Sequence, residues 1–130
     1  MFVDASAMVA IVALEPEHTK LVERLEDAVR PVTSPLAVFE TVLALARDKS
    51  IGLERARTLM DRFLQRLQIE VLSIEPAILD RALDAHARFG KGRGHPARLN
   101  FGDCFAYAMA KQHGVPLLYK GDDFSQTDLA

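Results

Sequence analysis

The chain has a single cysteine, Cys104, so no internal disulfide can form, which fits a reducing compartment. It has no apolar run of membrane length. The longest candidate, Ala5 to Leu14, is about half of what a bilayer needs. No basic residue precedes that run, and Asp4 stands where a secretion signal would be positive. No targeting segment and no membrane anchor are expected. An excess of positive charge is lacking as well. The formal net charge is −2, which argues against a nonspecific nucleic-acid coat. It does not argue against an enzyme that gathers cations with carboxylates and touches a nucleic acid only locally. Long linkers, low-complexity tracts and internal repeats are all absent, so the 130 residues are expected to form one domain, 1–130. With 49% hydrophobic and 26% charged residues, the composition is that of an ordinary globular chain.

Short apolar runs alternate with helical patterns. Met1–Asp4 reads as a strand and Ala5–Leu14 as a helix broken at Glu15-Pro16. Pro16 to Ala28 reads as a second helix, with Leu21, Val22, Leu25 and Val29 along one side. Arg30–Thr33 is the second strand. Ser34 is an N-cap with Pro35 at the first helical position, and that helix runs through Ala46. Beyond Gly52, the positions Leu53, Ala56, Met60, Phe63 and Leu67 recur at helical spacing. Ile69–Ile74 is the third strand. Pro76 opens a helix whose apolar side is Ile78, Leu79, Ala82, Leu83 and Phe89. After a glycine-rich basic loop, Gly90–Leu99, Asn100 caps a helix that is apolar all round from Cys104 to Ala110 and so should be buried. His113-Gly114 ends it, and Val115–Tyr119 is the fourth strand. Such alternation predicts an α/β fold with a parallel sheet between helices, and ligands at the carboxyl ends of its strands.

Acids recur where that rule looks for them. Asp4 ends the first strand, Glu40 lies early in the helix after the second, and Asp103 sits in the first turn of the apolar helix. Asp122 and Asp123 follow the last strand by a short loop. Helical side chains lean toward the N-terminus, so Glu40 and Asp103 can point back at the strand ends. A cluster of carboxylates is unfavourable unless a cation neutralises it, and Mg²⁺ or Mn²⁺ suits hard oxygen donors. That chemistry leads to phosphodiester hydrolysis. Each acid also has a purely structural reading. Asp4 can cap a helix, Asp103 can reciprocate with Asn100, Glu40 can be solvated, and Asp122-Asp123 can be an acidic turn.

Several segments resemble the VapC branch of the PIN-domain ribonucleases: Phe2-Val3-Asp4-Ala5-Ser6, Glu40 after an apolar helix start, Leu99 to Ala108 with its Asn-Phe-Gly-Asp-Cys core, and Pro116 to Asp128 with Lys-Gly-Asp-Asp-Phe. The resemblance spans essentially the whole chain. It implies a three-layer α/β/α fold with a central parallel sheet of four to five short strands, and a bacterial cytoplasmic endoribonuclease that depends on Mg²⁺ or Mn²⁺. It also implies a toxin neutralised by a cognate VapB-type antitoxin, and a homodimer. Asp4, Glu40 and Asp103 match the family's regular acids, with Asp4 and Asp103 as direct metal ligands, and Ser6 matches a supporting hydroxyl. For the fourth acid Asp122 is preferred over Asp123, because Asp123-Phe124 looks like a structural pair. A hydroxyl that the family commonly carries at the end of the last strand is replaced here by Tyr119.

Three further features have two readings each. Lys91, Arg93 and Arg98 lie in a basic stretch that no acid interrupts from Ala85 to Gly102, which reads as a mobile loop touching RNA phosphates or as a solvated loop. Cys104 reads as a buried thiol, or as the nucleophile of a rival thiol hydrolase that lacks an evident histidine partner. The stretch Ala7–Leu14 reads as plain core or as a groove for an antitoxin segment. A noncatalytic module that keeps the fold is the alternative function.

Overall fold

The computed structural model describes all 130 residues. The elements run β1 (Phe2–Val3), α1 (Ala5–Val12), α2 (His18–Glu26), β2 (Val32–Thr33), α3 (Pro35–Asp48), α4 (Leu53–Arg66), β3 (Glu70–Val71), α5 (Ile78–Phe89), α6 (Phe101–His113) and β4 (Leu117–Leu118). The four strands are parallel, in the order β3-β2-β1-β4. Phe2 pairs with Val32 on one side and Leu117 on the other. This is the parallel α/β architecture that the alternation predicts, with four strands and with each strand shorter than its apolar run.

Strand order explains where a ligand can sit. The chain builds the sheet in one direction through β1, β2 and β3, then returns past β1 to place β4. Right-handed crossovers put the helices of the outward run on one face and those of the return on the other. Packing agrees: α1 lies against α2 and α3, α3 against α4, and α5 against α6. The reversal falls between β1 and β4, so their carboxyl ends flank the switch point where α/β sheets bind ligands. Asp4 follows β1 directly, and its backbone N–H donates to the Leu118 carbonyl at 2.9 Å.

The core is one cluster of 29 buried residues. Phe2, Val3 and Leu118 at the sheet centre are fully buried, whereas both residues of β3 are exposed, as befits an edge. α6 is enclosed as expected, with Asp103, Cys104 and Ala106 to Ala110 all buried. Two apolar stripes turn out differently. α5 buries Ile78, Ala82, Ala85 and Phe89, while Leu79 and Leu83 face out at 56% and 57% exposure. Spacing alone places them inward because they share the wide apolar side of the helix, but α6 covers only part of it. Val29 lies beyond the end of α2 and is fully exposed. In the Ala7–Leu14 stretch, Ala7, Met8, Ala10 and Ile11 are core, Val9 is half-buried and Leu14 is exposed.

Candidate metal centre

Asp4 is buried and its backbone is extended, which lets it cap α1. The Ser6 N–H and Ser6 Oγ–H both donate to Asp4 Oδ2, at 2.9 and 2.6 Å. Ser6 Oγ in turn accepts the Lys120 N–H at 3.0 Å, so one hydroxyl ties the end of β1 to the chain leaving β4. Asp103 is built the same way. Its N–H donates to Asn100 Oδ1 at 2.9 Å, and the Asn100 N–H donates back to Asp103 Oδ2 at 3.0 Å, completing a capping box. The structural reading of these two acids, as partners in helix capping, is what these bonds show. Each aspartate accepts its capping bond on Oδ2, and none of these bonds ends on Oδ1 of Asp4 or Asp103.

Glu40 is half-buried in the second turn of α3, which Ser34 caps by accepting the Ala37 N–H at 3.1 Å. The Glu40 carboxylate lies against Gly102, next to Asp103 in sequence, and a Cβ at position 102 would overlap its oxygens. Asp123 reaches the cluster from the other side. Gly121, at φ +95°, starts a tight turn in which the Ser125 N–H donates to the Asp122 carbonyl at 3.1 Å. Phe124 is buried beneath this turn, 5.3 Å from the Tyr119 ring.

Electrostatics shows which acids share a field. Burial raises the Glu40 carboxyl to about 7, and the charges of Asp4 and Asp103 add to that. Burial likewise raises Asp103 to about 7, against the Asn100 hydrogen bond, with Asp4 and Asp123 adding repulsion and Asp123 also hydrogen-bonding to it. Asp4 is raised by burial, opposed by its Ser6 bonds, with Asp123 contributing. Asp4 and Asp103 thus lie within electrostatic reach of both Glu40 and Asp123, although no three of these side chains close on one point. Asp122, the acid preferred from sequence, is not among the main influences on Asp4, Glu40 or Asp103, and it lines the same cleft as Asp123. The buried Phe124 anchors the turn that carries both Asp122 and Asp123.

The basic loop is placed less uniformly. Lys91 and Arg98 line a cleft of about 620 Å³ together with Asn100, Asp122 and Asp123, whereas Arg93 stands outside it. The base of the loop is tied down rather than loose. The Lys91 N–H donates to the Leu99 carbonyl and the Leu99 N–H to the Phe89 carbonyl, both at 2.8 Å. Cys104 is buried, and burial plus the Asp103 charge push its thiol upward, the opposite of what a nucleophile requires. Sequence reasoning passes over Gly102 as a site residue and Lys120 altogether, although Lys120-Gly121 lies in a segment that carries the family resemblance. The Lys120 ammonium pairs with Glu15 and Glu17 and so holds the end of α1 to the β4 loop.

The fold with acids near the switch point of a parallel sheet is that of a PIN domain, and the family model for the PIN domain matches residues 1–129. Curated relatives narrow this further. A VapC ribonuclease of Rhizobium meliloti is 50% identical, with 98% of each chain covered. Ribonuclease VapC30 of Mycobacterium tuberculosis is 39% identical over the whole of this chain and 96% of its own. The chain belongs to the VapC ribonuclease family of PIN domains. Solved structures share the fold at low identity. VapC20 of Mycobacterium tuberculosis, described as a sarcin-ricin loop cleaving toxin, superposes with a TM-score of 0.71 at 21% identity, over 95% of this chain and 92% of that one. A toxin–antitoxin complex from Klebsiella pneumoniae gives 0.70 at 13% identity, over 98% and 92%. No helix is long and apolar enough to cross a membrane.

Proposed function

We propose that this chain is a divalent-metal-dependent endoribonuclease that acts as the toxin of a toxin–antitoxin pair. The observation that carries the reading is the mutual field of Asp4, Glu40 and Asp103, three acids far apart in sequence and raised together. No three side chains close on one point as a finished coordination shell, and mutually repelling acids do not close up without a cation between them. The donor set nevertheless suits Mg²⁺ or Mn²⁺. It is made of carboxylate oxygens with no thiolate or imidazole among them, it is desolvated, and it is short of positive charge. Mg²⁺ itself needs only one or two direct carboxylates.

Asp4 and Asp103 hold the ion in this reading, with Glu40 as the third acid and Asp123 as the fourth. When bound, the ion supplies an activated water and neutralises charge on the phosphate. Ser6 keeps Asp4 oriented. Lys91 and Arg98 bind phosphates of the RNA strand along the cleft, positioning it without reading its sequence. The alternative, a noncatalytic module that keeps the fold, predicts weak metal uptake and no divalent-dependent cleavage, so a cleavage assay with and without the ion separates the two.

Partners follow from what is left uncovered. A groove between α1 and α3, lined by Val9, Leu43 and Ala44, runs up to Ser6, Glu40 and Asn100. A VapB-type antitoxin segment lies there, its basic side chain competing with the ion among the acids. Leu79, Leu83 and Phe101 are exposed around one apolar cavity, which serves self-association into the expected homodimer.

The test is expression and cleavage by the wild type beside Asp4→Asn and Asp103→Asn. The wild type arrests growth and cuts RNA only with Mg²⁺ or Mn²⁺, chelator stops it, and both variants are inert. Cleavage that persists in chelator, or in both variants, refutes the reading.

A further inference from the structure

We propose that Gly102 is a positioning residue, its missing side chain forming the slot that holds the Glu40 carboxylate beside Asp103. The inference rests on the nuclease reading above and deepens it. Gly102 is the second residue of α6, between Phe101 and Asp103. Its backbone does not demand glycine. Positive φ occurs at Gly92, Gly94, Gly114 and Gly121, but not at Gly102. Its place inside a helix disfavours glycine, which is among the poorest helix formers. What position 102 does require is space. The three atoms nearest to a Cβ built there are Oε2, Cδ and Oε1 of Glu40, all well inside van der Waals contact. By contrast, a Cβ at Gly52, Gly92, Gly94, Gly114 or Gly121 meets nothing within 4 Å, and one at Gly90 meets His86 rather than a carboxylate.

A methyl group at position 102 therefore collides with the working end of one acid. The Glu40 side chain is flexible and can swing away, so the collision displaces the carboxylate without breaking the fold. Displacement of this kind, at the ångström level, lowers turnover by about 10²-fold. The phosphate-binding side chains Lys91 and Arg98 are not displaced, since neither Gly102 nor Glu40 lines their cleft.

The experiment is a double-mutant cycle on the full chain with wild type, Gly102→Ala, Glu40→Gln and the double variant. It reads kcat and KM for RNA cleavage with Mg²⁺, thermal midpoint, and a crystal structure of Gly102→Ala. We expect Gly102→Ala to melt no lower than wild type, to lose kcat by about 10²-fold with KM unchanged, and to show the Glu40 carboxylate moved. The double variant should be no worse than Glu40→Gln, because both changes remove the same contribution. Wild-type kcat in Gly102→Ala, losses that multiply in the double variant, or an unmoved carboxylate each overturn the proposal. A wild type that cleaves no RNA with either ion refutes the nuclease reading instead, and the crystal structure then decides the slot on its own.

Discussion

Raising the pH should destabilise this protein when divalent ions are absent, and added Mg²⁺ should reverse the loss. Asp103 and Glu40 both titrate near 7 in the folded chain, far above ordinary carboxyls. A raised acid binds its proton more tightly when folded. Its contribution to stability is complete below the unfolded value and is lost as pH rises through the folded one. From pH 5 to pH 7 two such groups cost at most about 5 kcal/mol. Asp103 is nearly enclosed, but Glu40 is only half-buried and solvent screens its share. We expect a net loss of about 2–3 kcal/mol, which lowers the melting midpoint by on the order of 10 °C in a domain of this size. Glu17 and Asp128 are held below their ordinary values and act only at lower pH. The Met1 amine is lowered by burial and works the other way toward pH 8, so the window ends at 7. The assay is thermal melting in chelator at half-unit steps from pH 5 to 7, repeated with Mg²⁺ and with Asp103→Asn. Mg²⁺ at about 100 times its dissociation constant restores roughly 2.7 kcal/mol at pH 7, and Asp103→Asn flattens the pH slope. A midpoint that is flat or rises with pH in chelator refutes the reasoning.

Other outcomes follow from the same geometry. Asp123→Asn should lower divalent-dependent cleavage by about 10-fold or more, since one oriented charge contributes at least about 1.4 kcal/mol at such a site, while Asp122→Asn leaves the rate near wild type; equal effects in a rate assay contradict the assignment of Asp123. Cys104→Ala should keep at least half of the cleavage activity, and complete loss would revive a thiol mechanism. Replacing Lys91 and Arg98 by Ala should weaken RNA binding and reduce its salt slope by about one unit for each phosphate no longer neutralised, whereas Arg93→Ala changes neither; a titration at several salt concentrations distinguishes these results.

Much of this molecule is legible in the sequence because its local signals agree with its fold. Ser34-Pro35, Asn100 and Gly114 mark helix ends by chemistry that needs no tertiary information, and the all-apolar stretch Cys104–Ala110 announces a buried helix. The candidate site is readable for a related reason: Asp4 stands at a strand end, Asp103 in the first turn of α6 and Glu40 in the second turn of α3, positions that topology places toward the carboxyl end of the sheet. What stays hidden depends on distant packing. Which of Asp122 and Asp123 serves as the fourth acid depends on how the turn over the buried Phe124 sits, which no local signal in the sequence fixes. Leu79 and Leu83 lie outside because α6 covers only one flank of α5. The two-residue strands are shorter than their apolar runs, since flanking residues such as Tyr119 pack without pairing.

Crystals soaked in Mn²⁺ near pH 7.5 and measured for anomalous scattering give the shortest route to the shared-cation claim. The account predicts a peak with oxygens of Asp4 and Asp103 at about 2.0–2.3 Å and Glu40 facing it from α3. A well-ordered site with no peak, or a peak that touches neither aspartate, contradicts it.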